Sequence, residues 1–236
     1  IHRWVPWIAG FSSSFVRDIL DTFLENTGTV LDPFSGVGTT LVESVLLGHK
    51  AVGFEINPYA ALACRVKVNA HSIPVGQLHD EVAKLQTFYR NRISNGYEPK
   101  SAPPQGFRTR SEFYSPKVLH KVLTLQDFIN TIANTNLQEL FKLAFSSTMV
   151  CYSNYSYEPS LGRRVSAGKS EIHDFPVGQM VARKLREMAE DIAWFQANLP
   201  VDTQEAEVHN ASFFDYQEYV APESIDLVIT SPPYLN

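Results

Sequence analysis

Apolar residues recur at helical spacing through Phe15, Val16, Ile19, Leu20 and Phe23, and the serines at 12–14 precede them as an N-cap. This predicts a first helix over 11–24. Thr29-Val30-Leu31-Asp32 is a short apolar run stopped by Pro33 and Gly36, and a helical pattern follows over 39–47, ending at Gly48, a natural C-cap. A second strand is predicted over 51–55, and Pro58 occupies a first helical turn before the helical stretch 59–69. Strand, helix, strand and helix in that order imply a parallel sheet. From about Pro74 to Pro200 the pattern changes to helices, roughly over 76–93, 115–132, 137–151 and 177–198, with polar loops at 94–111 and 153–175. Strand character returns at 205–208 and again at 225–230, where the apolar residues are dense enough for a strand covered on both faces. The expected architecture is an α/β sheet domain built from 1–73 and 200–236, interrupted by an inserted helical lobe over 74–199.

Composition narrows the function classes. The chain has 236 residues, 44% apolar and 19% charged, the profile of a water-soluble globular protein. No run approaches the roughly 18 apolar residues of a membrane-spanning helix. The N-terminal residues carry no charged-then-apolar signal pattern. Cys64 and Cys151 lie in apolar helix-like stretches with no metal-ligand or disulfide-framework spacing, so both are expected as reduced, buried, intracellular thiols, and no metal site is expected. A net charge of -5 argues against a generic basic coat for nucleic acid but leaves room for a local basic surface.

Two segments carry candidate chemistry. Asp32-Pro33-Phe34-Ser35-Gly36-Val37-Gly38-Thr39-Thr40 places two glycines and two hydroxyls between a strand and a helix N-terminus, a turn that lets a ligand approach the backbone. It is not the dinucleotide fingerprint, because a third glycine would fall on Leu41, and no Gly-Lys-Ser/Thr follows for a phosphate loop. NAD and ATP are therefore weak candidates. A glycine turn can be purely structural, but Glu55 ends the next strand, where a carboxylate can accept hydrogen bonds from both hydroxyls of a ribose. The second segment is Thr230-Ser231-Pro232-Pro233-Tyr234. There the Ser231 side chain and the Pro232 carbonyl can hold an amino group, and Tyr234 offers a ring for a flat base. Read alone, it is equally a surface turn with an anchoring tyrosine.

Together, Asp-Pro-Phe-x-Gly-x-Gly-Thr-Thr and Ser-Pro-Pro-Tyr resemble the S-adenosylmethionine-dependent amino-methyltransferases of DNA, the group that methylates exocyclic nitrogens. Val52-Gly53-Phe54-Glu55-Ile56-Asn57-Pro58 also looks like that family's second cofactor strand, and the resemblance covers about residues 1–72 and 205–236. It implies a Rossmann-like methyltransferase sheet, here lacking its last strands. Asp32, Phe34, Gly36 and Gly38, with Thr39, would wrap the methionine part of S-adenosylmethionine. Glu55 would bind its ribose, Ile56 would lie beside the adenine, and Phe213 would form a second wall, unless Phe213 and Phe214 are simply core. The acid that the family often sets against the adenine amino group falls on Asn210, whose amide can hydrogen-bond adenine without the charge. The aromatic segment 2–7 either borders this site or packs in the core.

The implied reaction is direct, in-line methyl transfer. Hydrogen bonds to Ser231 and the Pro232 carbonyl would hold an aromatic amino group out of conjugation, with no covalent enzyme intermediate. A Pro-Cys nucleophile, which carbon-5 cytosine enzymes use, is absent: Cys64 follows Ala63 and Cys151 follows Val150. Serine before Pro-Pro-Tyr looks more like the cytosine-N4 members, with adenine-N6 as the alternative. The implied partner is double-stranded DNA with a flipped target base, in the cytoplasm of a prokaryote at the nucleoid, and restriction-modification is the family's association. The lobe is the natural place for target recognition. In it Arg163, Arg164 and Lys169, interleaved with Tyr155 and Tyr157, are candidates for phosphate contacts or a solvated loop. With three family strands unaccounted for, a C-terminal part or a partner subunit is expected to complete the sheet. An RNA amino-methyltransferase and a non-catalytic cofactor-binding half of a split enzyme remain as alternatives.

Overall fold

The computed structural model describes residues 1–7, 10–106, 109, 112–157 and 160–231. In chain order its elements are α1 (Ser13–Phe23), β1 (Thr29–Asp32), α2 (Thr39–Leu46), β2 (Lys50–Phe54), α3 (Pro58–Val68), α4 (Val75–Ser94), α5 (Pro116–Ile129), α6 (Thr135–Thr148), β3 (Tyr155–Tyr157), β4 (Leu161–Arg163), α7 (Val177–Asn198), β5 (Ala206–His209) and β6 (Leu227–Val228). They form two compact units, residues 1–73 with 191–236 and residues 74–190.

The first unit is a mixed α/β structure around a four-stranded parallel sheet in the order β5-β2-β1-β6. Ser12 caps α1 by accepting from the Phe15 amide at 3.2 Å, and Asn57 caps α3 through the Tyr59 amide at 2.9 Å, with Pro58 at the first turn. β1 and β2 pair from Thr29↔Lys50 to Asp32↔Gly53, and β2 and β5 from Ala51↔Ala206 to Phe54↔His209. This register brings Asp32, Phe54 and His209 to one end of the sheet. β1 pairs with β2 on one side and β6 on the other, so the chain reverses its direction of sheet growth at β1. In open parallel sheets a ligand crevice forms at the carboxyl ends of the strands at such a switch point.

The core packs α1 against the sheet, with Val16, Leu20, Val30 and Ile229 buried together. Glu43 of α2 is fully buried and accepts from His2 Nε2 at 2.5 Å and from Arg17 Nε, tying the N-terminal segment and α1 to α2. Asp191 accepts from Arg3 Nη2 at 2.7 Å and Trp4 Nε1 at 2.9 Å.

Two expectations about this unit change. The strand expected over 225–230 and covered on both faces is reduced to the two residues of β6. It lies at the edge of the sheet, with Ile229 buried towards α1 and Val228 53% exposed on the other face. Apolar density cannot tell a strand buried on both faces from one that has packed only one of them. Phe214, weighed with Phe213 as core, is 89% exposed.

The second unit holds α4, α5 and α6 and the N-terminal part of α7. Ser115 and Asn134 cap α5 and α6, and Phe88 of α4 meets Phe128 of α5 at 5.5 Å. The polar loop expected over 153–175 instead contains an antiparallel hairpin, in which Tyr155 pairs with Arg163 and Tyr157 with Leu161. Its strands are three residues each, too short for a period-2 pattern to register. Packing fixes them, because Tyr155 stacks on Phe113 at 5.2 Å. Cys151, expected buried, is exposed just beyond α6, whereas Cys64 is buried. Among the described residues no helix is long and apolar enough to cross a membrane.

Candidate functional site

A cavity of about 570 Å³ opens at the carboxyl ends of β1 and β2, within the first unit. That volume lies inside the roughly 300–1,000 Å³ span of small-molecule sites. Its floor is the turn between β1 and α2. The Phe34 amide donates to Asp32 Oδ1 at 3.1 Å, closing the first bend. The Ser35 amide and hydroxyl both donate to the Phe54 carbonyl, at 2.9 and 3.2 Å, stapling the turn to the end of β2. Gly36 and Gly38 take φ of +51° and +85°, where a side chain would be strained. A Cβ on Gly38 would also lie 2.5 Å from Cys64 Sγ.

Asp32 is strongly perturbed among the residues that line the cavity. Burial pushes its carboxyl up to about 6, the nearby Glu55 adds to the rise, and Thr40 and the Phe34 amide oppose it. A carboxylate in this position gains from a cationic group brought into the cavity. Glu55 Oε1 accepts from the Asn57 amide at 2.7 Å, which restrains the carboxylate. Phe34 is 38% and Ile56 74% exposed, so both offer apolar surface to a ligand. Phe213 meets Phe34 edge-on at 6.3 Å and Phe54 at 5.5 Å.

Of the residues singled out from sequence, Asp32, Phe34, Gly36, Thr39, Glu55, Ile56, Phe213 and Ser231 line this one cavity. Gly38 and Asn210 are not among its lining residues. Asn210 Nδ2 donates to the carbonyls of Glu55 at 2.8 Å and Ile56 at 3.3 Å, so its amide fastens the β2 exit to the β5 exit. Pro232, Pro233 and Tyr234 lie outside the described residues. Trp7 and Phe11 also line the cavity. The sequence left the role of Trp7 open and gave Phe11 to the first helix. Asn57 was missed as the residue that orients Glu55, although Asn before Pro at a helix start signals its capping role.

In the second unit Arg163 is exposed, at the end of β4. Arg164 is half-buried and its Nε donates to the Ser170 carbonyl at 2.8 Å, so it braces its own loop. The Lys169 amide donates to the Arg164 carbonyl at 2.9 Å, which brings the three basic residues into one short segment.

The donor set suits S-adenosylmethionine. It offers a buried carboxyl for an ammonium group, a constrained carboxylate for ribose hydroxyls, exposed apolar and aromatic surface for a purine, and a backbone turn open to close approach. Comparison with known proteins points the same way. The profile of the DNA methylase family matches residues 8–64. The Type II methyltransferase M.BsoBI of Geobacillus stearothermophilus is 24% identical over 260 aligned residues, covering 100% of this chain and 50% of that protein. The Type II methyltransferase M.MvaI of Kocuria varians is 24% identical, covering 86% of the chain and 45% of that protein. The Type II methyltransferase M.MjaII of Methanocaldococcus jannaschii is 31% identical over 95 residues, 38% of the chain and 18% of that protein. The chain thus spans about half the length of the first two relatives. No solved structure gives a significant match. The matched segment carries the turn and Glu55, and over it the chain is similar to the DNA methylase family, whose methyl donor is S-adenosylmethionine.

Proposed function

We propose that this chain carries the cofactor site and the amino-group-holding turn of a Type II DNA methyltransferase that modifies the exocyclic N4 of cytosine. The observation that carries the proposal is the placement of Ser231 in the same cavity as Asp32 and Glu55, although it lies about two hundred residues along the chain from Asp32. S-adenosylmethionine would supply an activated methyl group there. Asp32 would accept from its ammonium group, which returns the carboxyl to the charged form that burial disfavours. Glu55, already steadied by the Asn57 amide, would accept from the ribose hydroxyls. Phe34, Ile56 and Phe213 would cover the adenine and exclude water from the transfer.

Ser231 Oγ would accept from the target amino group and, with the Pro232 carbonyl next in sequence, hold the nitrogen lone pair towards the methyl group. Positioning of this kind is the main source of rate when no covalent intermediate is needed. The proton lost by the nitrogen would pass to the surrounding solvent. Serine at this place favours cytosine over adenine, and the likeness to the DNA methylase family favours DNA as the substrate. Arg163, Arg164 and Lys169 are proposed to contact DNA phosphates, with the target base turned out of the helix.

Nucleoside mass spectrometry of DNA from a methylation-deficient host that makes the full-length protein tests this. N4-methylcytosine is expected, lost on Ser231→Ala while affinity for S-adenosylhomocysteine persists. N6-methyladenine alone overturns the base assignment, and modification found only in RNA overturns the substrate.

A further inference from the structure

Beneath the cofactor turn lies a charged group that the proposed reaction does not use. Lys67 of α3 is fully buried, and its Nζ donates to the Val37 carbonyl at 2.9 Å. One helical turn earlier on the same helix, Cys64 is packed under Gly38. The amide on the other side of the Val37–Gly38 peptide donates to the Ser35 carbonyl at 2.8 Å. That one peptide is therefore held at both ends, by an ammonium on its oxygen and a carbonyl on its nitrogen. Val37 itself sits between two glycines with positive φ, the part of the turn with the least conformational preference of its own.

Packing alone does not call for a lysine here. An apolar side chain of similar length would fill the space without the cost of burying an ammonium, whereas a charge-assisted hydrogen bond gives the carbonyl a strong and directional partner. Gly36, Val37 and Thr39 show their other side to the cavity. Fixing this peptide from below thus sets the wall that a ligand meets from above.

We propose that Lys67 is a positioning residue for S-adenosylmethionine: its ammonium locks the Val37–Gly38 peptide so that the turn is formed before the cofactor arrives. This rests on the cofactor reading of the cavity. The test is calorimetric titration of S-adenosylhomocysteine into the full-length protein and its Lys67→Met variant, with the thermal midpoint of each. Methionine keeps the length and removes the donor. The Kd is expected to rise about tenfold, the worth of one such hydrogen bond. The thermal midpoint is expected to fall by no more than a few degrees, because the Val37 carbonyl loses its donor as the buried charge is removed, and turnover at saturating cofactor to stay within about twofold. A Kd within twofold of the wild type, at any midpoint, overturns the proposal. Lys67→Leu gives the same comparison should Lys67→Met fail to fold. Wild-type protein that does not bind S-adenosylhomocysteine would instead refute the cofactor reading itself.

Discussion

Asp32→Asn separates what the cofactor site does from what the fold would prefer. The Asp32 carboxyl is 3% exposed and is pushed from 3.8 up to about 6, first by burial and then by Glu55. Below pH 4 the group is protonated whether the chain is folded or not, and it costs the fold nothing. Between pH 4 and 6 the unfolded chain ionises it while the folded chain keeps the proton, so stability falls as pH rises. Above pH 6 the penalty is complete, at most about 3 kcal/mol given 1.36 kcal/mol per pH unit of displacement. Asparagine at this position retains an acceptor for the Phe34 amide and never ionises. The ligand-free variant should therefore match the wild type near pH 4 and exceed it at pH 8, by up to about 6–12 °C in thermal midpoint for a chain of this length. All three tryptophans, Trp4, Trp7 and Trp194, lie in the unit that contains Asp32, so their fluorescence follows its unfolding. The same substitution should abolish binding of S-adenosylhomocysteine. In the wild type, binding should strengthen as pH rises through 6, with a proton released from Asp32, detectable by calorimetry in buffers of different ionisation enthalpy. Parallel stability curves for the two proteins from pH 4 to 8 would refute the reasoning.

Glu43 should behave in the opposite sense. Burial alone would raise its carboxyl, but hydrogen bonds from His2 and Arg17 outweigh that and hold it below the ordinary range. Its contribution is thus present at neutral pH and lost on acidification. Glu43→Gln should cost about 1–2 kcal/mol at pH 7, discounted for the half-exposed Arg17, and less as pH falls towards 4 in urea unfolding. For the basic segment, replacing Arg163 and Arg164 together with alanine should weaken DNA binding. The slope of log affinity against log salt should drop by up to about 2, measured by fluorescence anisotropy across a salt series; an unchanged slope dismisses both as phosphate contacts.

Much of the sheet unit was legible because its signals are local. The stop at Pro33, the glycines at 36 and 38, and Asn57-Pro58 each dictate backbone geometry within a few residues, so β1, α2 and α3 fall where the pattern puts them. The hairpin at 155–163 was not legible, because its strands are held by an aromatic stack with Phe113 some forty residues away. Nor was Lys67, which in sequence is one polar residue in a helix where exposure is the ordinary reading.

The distinction bears on how the site works. The turn, the β2 exit and the capping Asn57 lie within one continuous stretch of about thirty residues, which also falls inside the matched family segment. Phe213, Asn210 and Ser231 arrive only after the whole second unit has been traversed. Their meeting depends on β5 pairing with β2 and on β6 pairing with β1 through just two residues. A two-residue ladder at a sheet edge contributes few hydrogen bonds, so the Ser231 end of the cavity should open before the Asp32 end. On the proposed reading, cofactor affinity would belong to the strongly paired strands, whereas the holding of the target amino group would depend on the weakest pairing in the sheet. Loosening β6 should thus show first in turnover and only later in cofactor binding.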